Sequence, residues 1–253
     1  MTKAEQIKLN ADIVALLKKK GESVDVWSKS ELDYIQQYSG AGGLDVKDAT
    51  DAARLYEFYT PDAVISRMWA LAIKYGFTGG RILEQSAGIG KFLRYVDPAN
   101  STVRAFELDQ VSGQILKACF PWADVTIGEF ETIYYPNGAG QKRVHQSDSF
   151  DLVIGNPPYG PRNGNYQGKT LEGAYSLSKT LDQYFIEKGI SLLKPNGLLV
   201  MIIPSSFLNN DNDYNNFKNQ LQVQADLIDA YRMPIGVFDF TQYATDIVVI
   251  RKK

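Results

Sequence analysis

From residue 81 onward, short β-rich apolar runs alternate with helical stretches, and few folds accept that alternation. Strands separated in this way by helices predict a parallel sheet with helices on both of its faces. The runs fall at Arg81–Glu84, Thr102–Glu107, Val125–Ile127, Phe150–Gly155, Leu198–Ile203, Leu227–Tyr231 and Asp246–Arg251. Apolar spacing, together with breakers such as Gly76 and Pro195, places helices at about 62–75, 109–119, 180–194 and 213–221. Ligands on such sheets bind beyond the carboxyl ends of the strands, near the point where the winding reverses. Every motif described below falls at such an end.

Residues 1–54 read as an N-terminal helical extension, with helices at about 3–20 and 30–37, and residues 55–253 as one α/β catalytic domain. Lys18, Lys19 and Lys20 form a basic last turn stopped by Gly21, which suits the helix dipole. With 44% hydrophobic and 22% charged residues over 253 positions, the chain can bury one substantial core. A single cysteine, Cys119, excludes an internal disulfide, and a single histidine, His145, leaves no Cys/His zinc site, so no metal is expected. The net charge of -2 gives no global field toward nucleic acid. No stretch approaches the length of a membrane span, and a cytoplasmic protein is expected.

The first strand runs into Glu84-Gln85-Ser86-Ala87-Gly88-Ile89-Gly90-Lys91-Phe92, a glycine turn before a helix start. Gly88 and Gly90 permit a sharp turn and close approach to a ligand. The dinucleotide fingerprint would need a glycine where Leu93 stands, and the phosphate-binding P-loop a Ser or Thr where Phe92 stands. Glu107, at the end of the second strand, can accept both hydrogen bonds of a ribose diol and is a better candidate than Asp109. Ile127-Gly128-Glu129-Phe130 ends the third strand, where Glu129 could meet an adenine amine and Phe130 its ring.

The fourth strand runs directly into Asn156-Pro157-Pro158-Tyr159. Two prolines stiffen the turn and remove two amide donors, leaving a loop built to accept hydrogen bonds. The Asn156 side-chain oxygen and the Pro157 carbonyl suit the two N–H groups of a planar exocyclic amine, whose lone pair is otherwise delocalised into its ring. Tyr159 offers a face on which that ring can stack. Gly160 to Thr180 reads as a long mobile loop.

These residues resemble the amino-methyltransferase family of DNA methylases, especially its N6-adenine members, over about residues 55 to 252. Ile82–Phe92 is similar to the family's first motif, Glu107 to its ribose acid, Glu129-Phe130 to its adenine-binding pair and Asn156–Tyr159 to its catalytic tetrapeptide. Upstream, Phe58-Tyr59-Thr60-Pro61 resembles the motif that closes over the methionine part of the cofactor, and its position ahead of the glycine loop resembles the gamma order. Met233–Phe238 with Thr245–Ile250 is similar to the last motif, with Phe238 placed to stack on an extruded base opposite Tyr159. Tyr38–Leu44 resembles a glycine segment ahead of the methylase domain in large phage and mobile-element fusions.

The resemblance implies a Rossmann-like, seven-stranded S-adenosylmethionine-dependent methyltransferase sheet. Its cofactor would contact Tyr59, Thr60, Glu84, Ser86, Ala87, Gly88, Gly90, Glu107, Glu129 and Phe130; catalysis would fall to Asn156, Pro157 and Tyr159, and base binding to Phe238. It also implies DNA as partner, within a restriction-modification setting. Gln85 departs from the family's usual proline and Glu129 from its usual aspartate. The family's usual target-recognition domain is not expected within these residues, so site selection is expected from a separate specificity subunit, a fused recognition or helicase region, or the loop Gly160–Thr180. The alternatives are a cofactor-binding, non-catalytic subunit of a restriction or anti-restriction assembly, and the same chemistry on RNA or on protein glutamine.

Overall fold

The computed structural model describes residues 2–21, 27–40, 60–134, 149–160, 178, 180–209, 212–237 and 244–253. Seven strands, β1 (Gly80–Glu84), β2 (Ser101–Glu107), β3 (Asp124–Ile127), β4 (Phe150–Gly155), β5 (Leu193–Pro204), β6 (Ala225–Arg232) and β7 (Thr245–Lys252), form one sheet in the order β3-β2-β1-β4-β5-β7-β6. The described helices are α1 (Lys3–Lys20), α2 (Lys29–Ile35), α3 (Asp62–Lys74), α4 (Gln110–Cys119), α5 (Leu181–Leu192) and α6 (Asn212–Gln224).

Strand side chains alternate across the sheet, so a strand covered on both sides must be apolar at successive positions. The core shows this directly. Ile82, Leu152, Ile154, Val200, Ile202, Ile247 and Val249 join Ile65, Met68 and Leu71 of α3 in one cluster. Their neighbours Leu83, Val153, Leu199, Met201, Val248 and Ile250 join Tyr184 and Phe185 of α5 and Phe217 of α6 in the other.

Two features depart from the sequence expectation. The sheet is not wholly parallel, because β7 runs antiparallel to both β5 and β6. The described residues of the link from β6 to β7, 233–237 and 244, carry no helix, and β7 returns antiparallel to β6; strand composition carries no mark of direction. Helix α5 ends at Leu192, before Pro195, and β5 begins at once. Pro195, Asn196 and Gly197 are looped out between the pairs Leu193–Phe150 and Leu198–Leu152, with Asn196 at φ 66°. The proline therefore marks a strand irregularity, where it costs no ladder hydrogen bond.

At the N-terminus, Thr2 and Glu5 form a capping box, and Gly21 closes α1 at φ 69° with its amide on the Leu17 carbonyl. Helices α1 and α2 share an apolar cluster, containing Ile13, Leu17 and Ile35, with Ile115 and Ala118 of α4 and with Ile89 of the glycine turn. Asn10 fixes the exit from α2, donating to the Gly40 carbonyl at 2.7 Å and accepting from the Ser39 amide at 3.3 Å. Among the described residues, no helix is long and apolar enough to cross a membrane.

Candidate active site

The sheet order reverses between β1, which leads leftward to β2 and β3, and β4, which leads rightward to β5. The carboxyl ends of β1 and β4 therefore flank the switch point where α/β sheets bind ligands. The glycine turn leaves β1 there, and the Asn156–Tyr159 loop leaves β4 beside it. Ser86 joins the two, its hydroxyl donating to the Asn156 backbone carbonyl at 3.3 Å.

Backbone contacts hold the glycine turn. The Ala87 amide donates to the Phe106 carbonyl at 2.8 Å, and the Gly90 amide to the Ala87 carbonyl at 2.9 Å. Gly88 and Gly90 lie at φ 55° and 83°, where a glycine avoids the Cβ clash. Gly90 has a second reason to be glycine. An added Cβ would stand 2.4 Å from Leu116 and 2.7 Å from Phe120, so its lack of side chain serves packing against α4 in addition to the turn. Gly90→Ala is expected to cost about 2–4 kcal/mol from left-handed strain plus overpacking, read as a fall in the urea midpoint at unchanged m-value.

Glu107 ends β2 with both carboxylate oxygens on backbone amides, Gly88 at 2.6 Å and Asp109 at 2.7 Å. These bonds aim it at the mouth of the glycine turn. Asp109 is committed elsewhere: it is the N-cap of α4, and its side chain accepts from the Ser112 amide at 2.7 Å. The capping bond leaves Glu107, of the two acids, the one that faces the glycine turn.

Glu84 is 1% exposed, and its Oε2 has no hydrogen-bond partner. Burial, and then the Glu107 charge, push its carboxyl well above the usual range. An orphaned buried carboxylate is what a small cation would relieve. Because the fold favours the protonated form, the contribution of Glu84 to ligand-free stability is fullest below the ordinary carboxylate range and is lost as pH rises through the raised value. A cation bound at Glu84 should therefore expel a proton wherever the pH lies below the raised value. Calorimetry in buffers of different ionisation enthalpy should detect that release with S-adenosylmethionine, and Glu84→Gln should abolish it.

Glu129 is exposed at the end of β3, directly after Gly128, whose amide donates to the Glu107 carbonyl at 2.8 Å. Phe130 is different. It is 1% exposed, stacked on Phe185 at 5.7 Å and edge-on to Phe106 at 5.4 Å, so the ring expected to lie against an adenine is packed into the core. Its packing fixes the strand end from which Glu129 projects.

In the Asn156–Tyr159 loop Pro157 is buried, while Asn156, Pro158 and Tyr159 are half-buried. The Tyr159 hydroxyl donates to the Asn156 side-chain oxygen, so that oxygen is already presented as an acceptor. Burial, with the nearby Asp182 carboxylate second, holds the Tyr159 hydroxyl well above its usual pKa, and it stays a neutral donor. The loop ends at Gly160, whose carbonyl accepts from the Leu181 amide at 2.9 Å.

Thr60 is buried at the entrance to α3, and the Pro61 carbonyl accepts the amides of Val64 and Ile65 at 3.0 and 3.1 Å. Tyr59 and Phe238, and residues 161–177 of the expected loop, lie outside the described residues. Sequence reasoning missed Asp182, whose signal is an acid inside a helix where Leu181, Gln183, Tyr184, Phe185 and Ile186 are also buried. It missed too that Gln85 is buried with both side-chain polar atoms unpartnered. Among the described residues, no group of three or more His, Cys, Asp or Glu could hold a metal ion.

Residues 95–238 match the family described as Eco57I restriction-modification methylase. The chain belongs to that family. The methylase is 30% identical over 219 residues to Defense against restriction protein B of Escherichia phage P1, covering 85% of this chain and 9% of that protein. It is also 30% identical over 161 residues to Type II methyltransferase M.TthHB8I of Thermus thermophilus, covering 59% of this chain and 34% of that one. The chain thus spans only a part of the length of either relative. Its fold is similar to that of the type I restriction-modification system methyltransferase subunit from Streptococcus thermophilus, with a TM-score of 0.63 at 18% identity over 88% of this chain and 49% of that one.

The fold is that of class I S-adenosylmethionine-dependent methyltransferases, and S-adenosylmethionine is the methylase's cofactor. The residues present fit it. Orphaned Glu84 suits an ammonium group, and Glu107, held by two amides, suits a ribose diol.

Proposed function

We propose that this methylase transfers a methyl group to the N6 amine of adenine in DNA, with the base turned out of the helix onto the Asn156–Tyr159 loop. The observation that carries the reading is the Asn156 side-chain oxygen, offered as an acceptor at the end of β4 next to the glycine turn. An amine whose two N–H groups bond to Asn156 Oδ1 and the Pro157 carbonyl has its lone pair turned out of conjugation. The incoming N–H takes the place now held by the Tyr159 hydroxyl, and the Tyr159 ring supplies a stacking face.

In this reading Glu84 holds the ammonium of the cofactor, Glu107 its ribose and Glu129 its adenine amine. Phe130 backs that wall, Ser86, Ala87, Gly88 and Gly90 shape the turn, Tyr59 and Thr60 close over the methionine part, and Phe238 faces Tyr159 across the base. Bound there, the cofactor would supply an electrophilic methyl on a sulfonium whose C–S electron pair stays with sulfur; Asn156 Oδ1 and the Pro157 carbonyl would hold the acceptor nitrogen with its lone pair toward that methyl, and the proton shed by the methylated nitrogen would pass to water. The protein needs no histidine-type base for this, because the acidified ammonium product loses its proton readily once formed.

The share of each relative that the chain covers, 9% and 34%, supports a division of labour. Polypeptide outside these residues, fused or supplied as a separate specificity subunit, selects the site. The test is to offer DNA, RNA and protein separately with labelled cofactor and to digest the labelled product to its components. Label in N6-methyladenine from DNA is the expected result; label confined to RNA or protein would overturn the substrate assignment.

A further inference from the structure

Helix α5 starts where the catalytic loop ends, and in its first turn lies an acid that the transfer chemistry above does not use. Asp182 is 1% exposed. Its Oδ2 accepts from the Tyr214 hydroxyl of α6 at 2.8 Å, while Oδ1 is buried with no hydrogen-bond partner. Tyr214 is itself held edge-on to Phe207 at 5.9 Å, so the carboxylate is clamped from α6. One residue earlier, the Leu181 amide is bonded to the carbonyl of Gly160, the residue after Tyr159. A carboxylate buried with one oxygen unanswered destabilises the fold, and here it lies beside the loop that receives the acceptor amine.

We propose that Asp182 is a positioning residue for methyl transfer: its buried carboxylate, clamped by Tyr214 and joined to the catalytic loop through Leu181 and Gly160, favours the positive charge that arrives on the acceptor nitrogen. This rests on the reading of the Asn156–Tyr159 loop given above. The amine enters neutral and becomes cationic as the N–C bond forms, so a fixed anion nearby stabilises the later state more than the earlier one. Weak screening inside the protein strengthens that preference. The influence of Asp182 already reaches the loop, since its charge helps to keep the Tyr159 hydroxyl protonated. Asp182 does not take the proton, which leaves to water afterwards.

Asp182→Asn tests this, because the amide oxygen can still accept from Tyr214 while the charge is lost. At saturating cofactor, the single-turnover rate on an adenine-containing oligonucleotide is expected to fall at least ~10-fold, with cofactor affinity within about twofold of wild type. The acid limb of the wild-type rate profile, set by a carboxyl that burial raises above its usual range, should flatten in the variant. The described groups facing Asp182 are Tyr214, itself bonded by Ser206, Thr180 just ahead of its helix and Tyr159 from the loop, none of which titrates in the acid range.

A second readout needs neither cofactor nor DNA. With 3-fluorotyrosine at position 159, the pH titration of its fluorine resonance should move down in Asp182→Asn. An unchanged rate with an unmoved titration would sink the proposal. So would a rate loss matched by lost cofactor affinity or a broadened melting transition, which marks a structural role. If the wild-type protein methylates no adenine while the resonance shifts as expected, the substrate reading fails and the electrostatic link from Asp182 to the loop stands.

Discussion

Asn156→Ala is expected to lower methyl transfer by about 10²–10³-fold while S-adenosylmethionine affinity stays within about twofold of wild type. The separation follows from where Asn156 stands. Its backbone carbonyl accepts from Ser86 and its side-chain oxygen faces Tyr159, so truncation at Cβ keeps the tie between the two loops and removes the acceptor. The Tyr159 hydroxyl loses its partner and the amine loses the group that turns its lone pair outward. Quenched-flow single turnovers give the first quantity and calorimetry gives the second. Transfer at the wild-type rate would remove the mechanism; a matched loss of cofactor affinity would relocate Asn156 to the cofactor site.

Glu107→Ala should act in the opposite sense, weakening cofactor binding by about 10²-fold or more, as loss of two hydrogen bonds to a charged group implies. Two consequences add together. The acid proposed for the ribose disappears, and the Gly88 and Asp109 amides lose the oxygens that orient the glycine turn. Glu107→Gln is expected to fail nearly as badly, because its NH₂ would be set against one of two backbone N–H donors. At cofactor concentrations that saturate the variant, the transfer rate should recover toward wild type. Affinity retained in both variants would show that another group holds the ribose.

The strands were legible because β4, β5 and β7 are covered on both faces, which leaves a nearly unbroken apolar run in the sequence. Direction was not legible: β7 has the apolar composition of the parallel strands β4 and β5, and only its pairing register shows that it runs the other way. Pro195 was recognised as a breaker, but what it interrupts is a strand pairing, a property that depends on the partner Phe150–Leu152 segment. In the site, spacing preferred Glu107 to Asp109, and the capping bond from Ser112 to Asp109 is a contact that spacing does not reveal. Phe130 and Asp182 show the same limit from opposite sides. An aromatic at a strand end and an acid at a helix start have ordinary readings in one dimension, and only the neighbours Phe106, Phe185 and Tyr214 reveal that one is core and the other a buried charge.

The placement of Ile89 has a thermodynamic corollary. It lies between the two glycines of the turn, 1% exposed, with its side chain in the cluster built by α1, α2 and α4. Occupancy on the front of the turn and docking of the N-terminal helices on its back are thus two equilibria sharing one hinge of chain. Linkage makes their coupling reciprocal: whatever free energy ligand binding lends to helix docking, helix docking lends in equal measure to ligand binding. Any change at α1 and α2 that alters the grip of the turn on its ligand must therefore be matched, to the same free energy, in how firmly those helices pack when the ligand is bound.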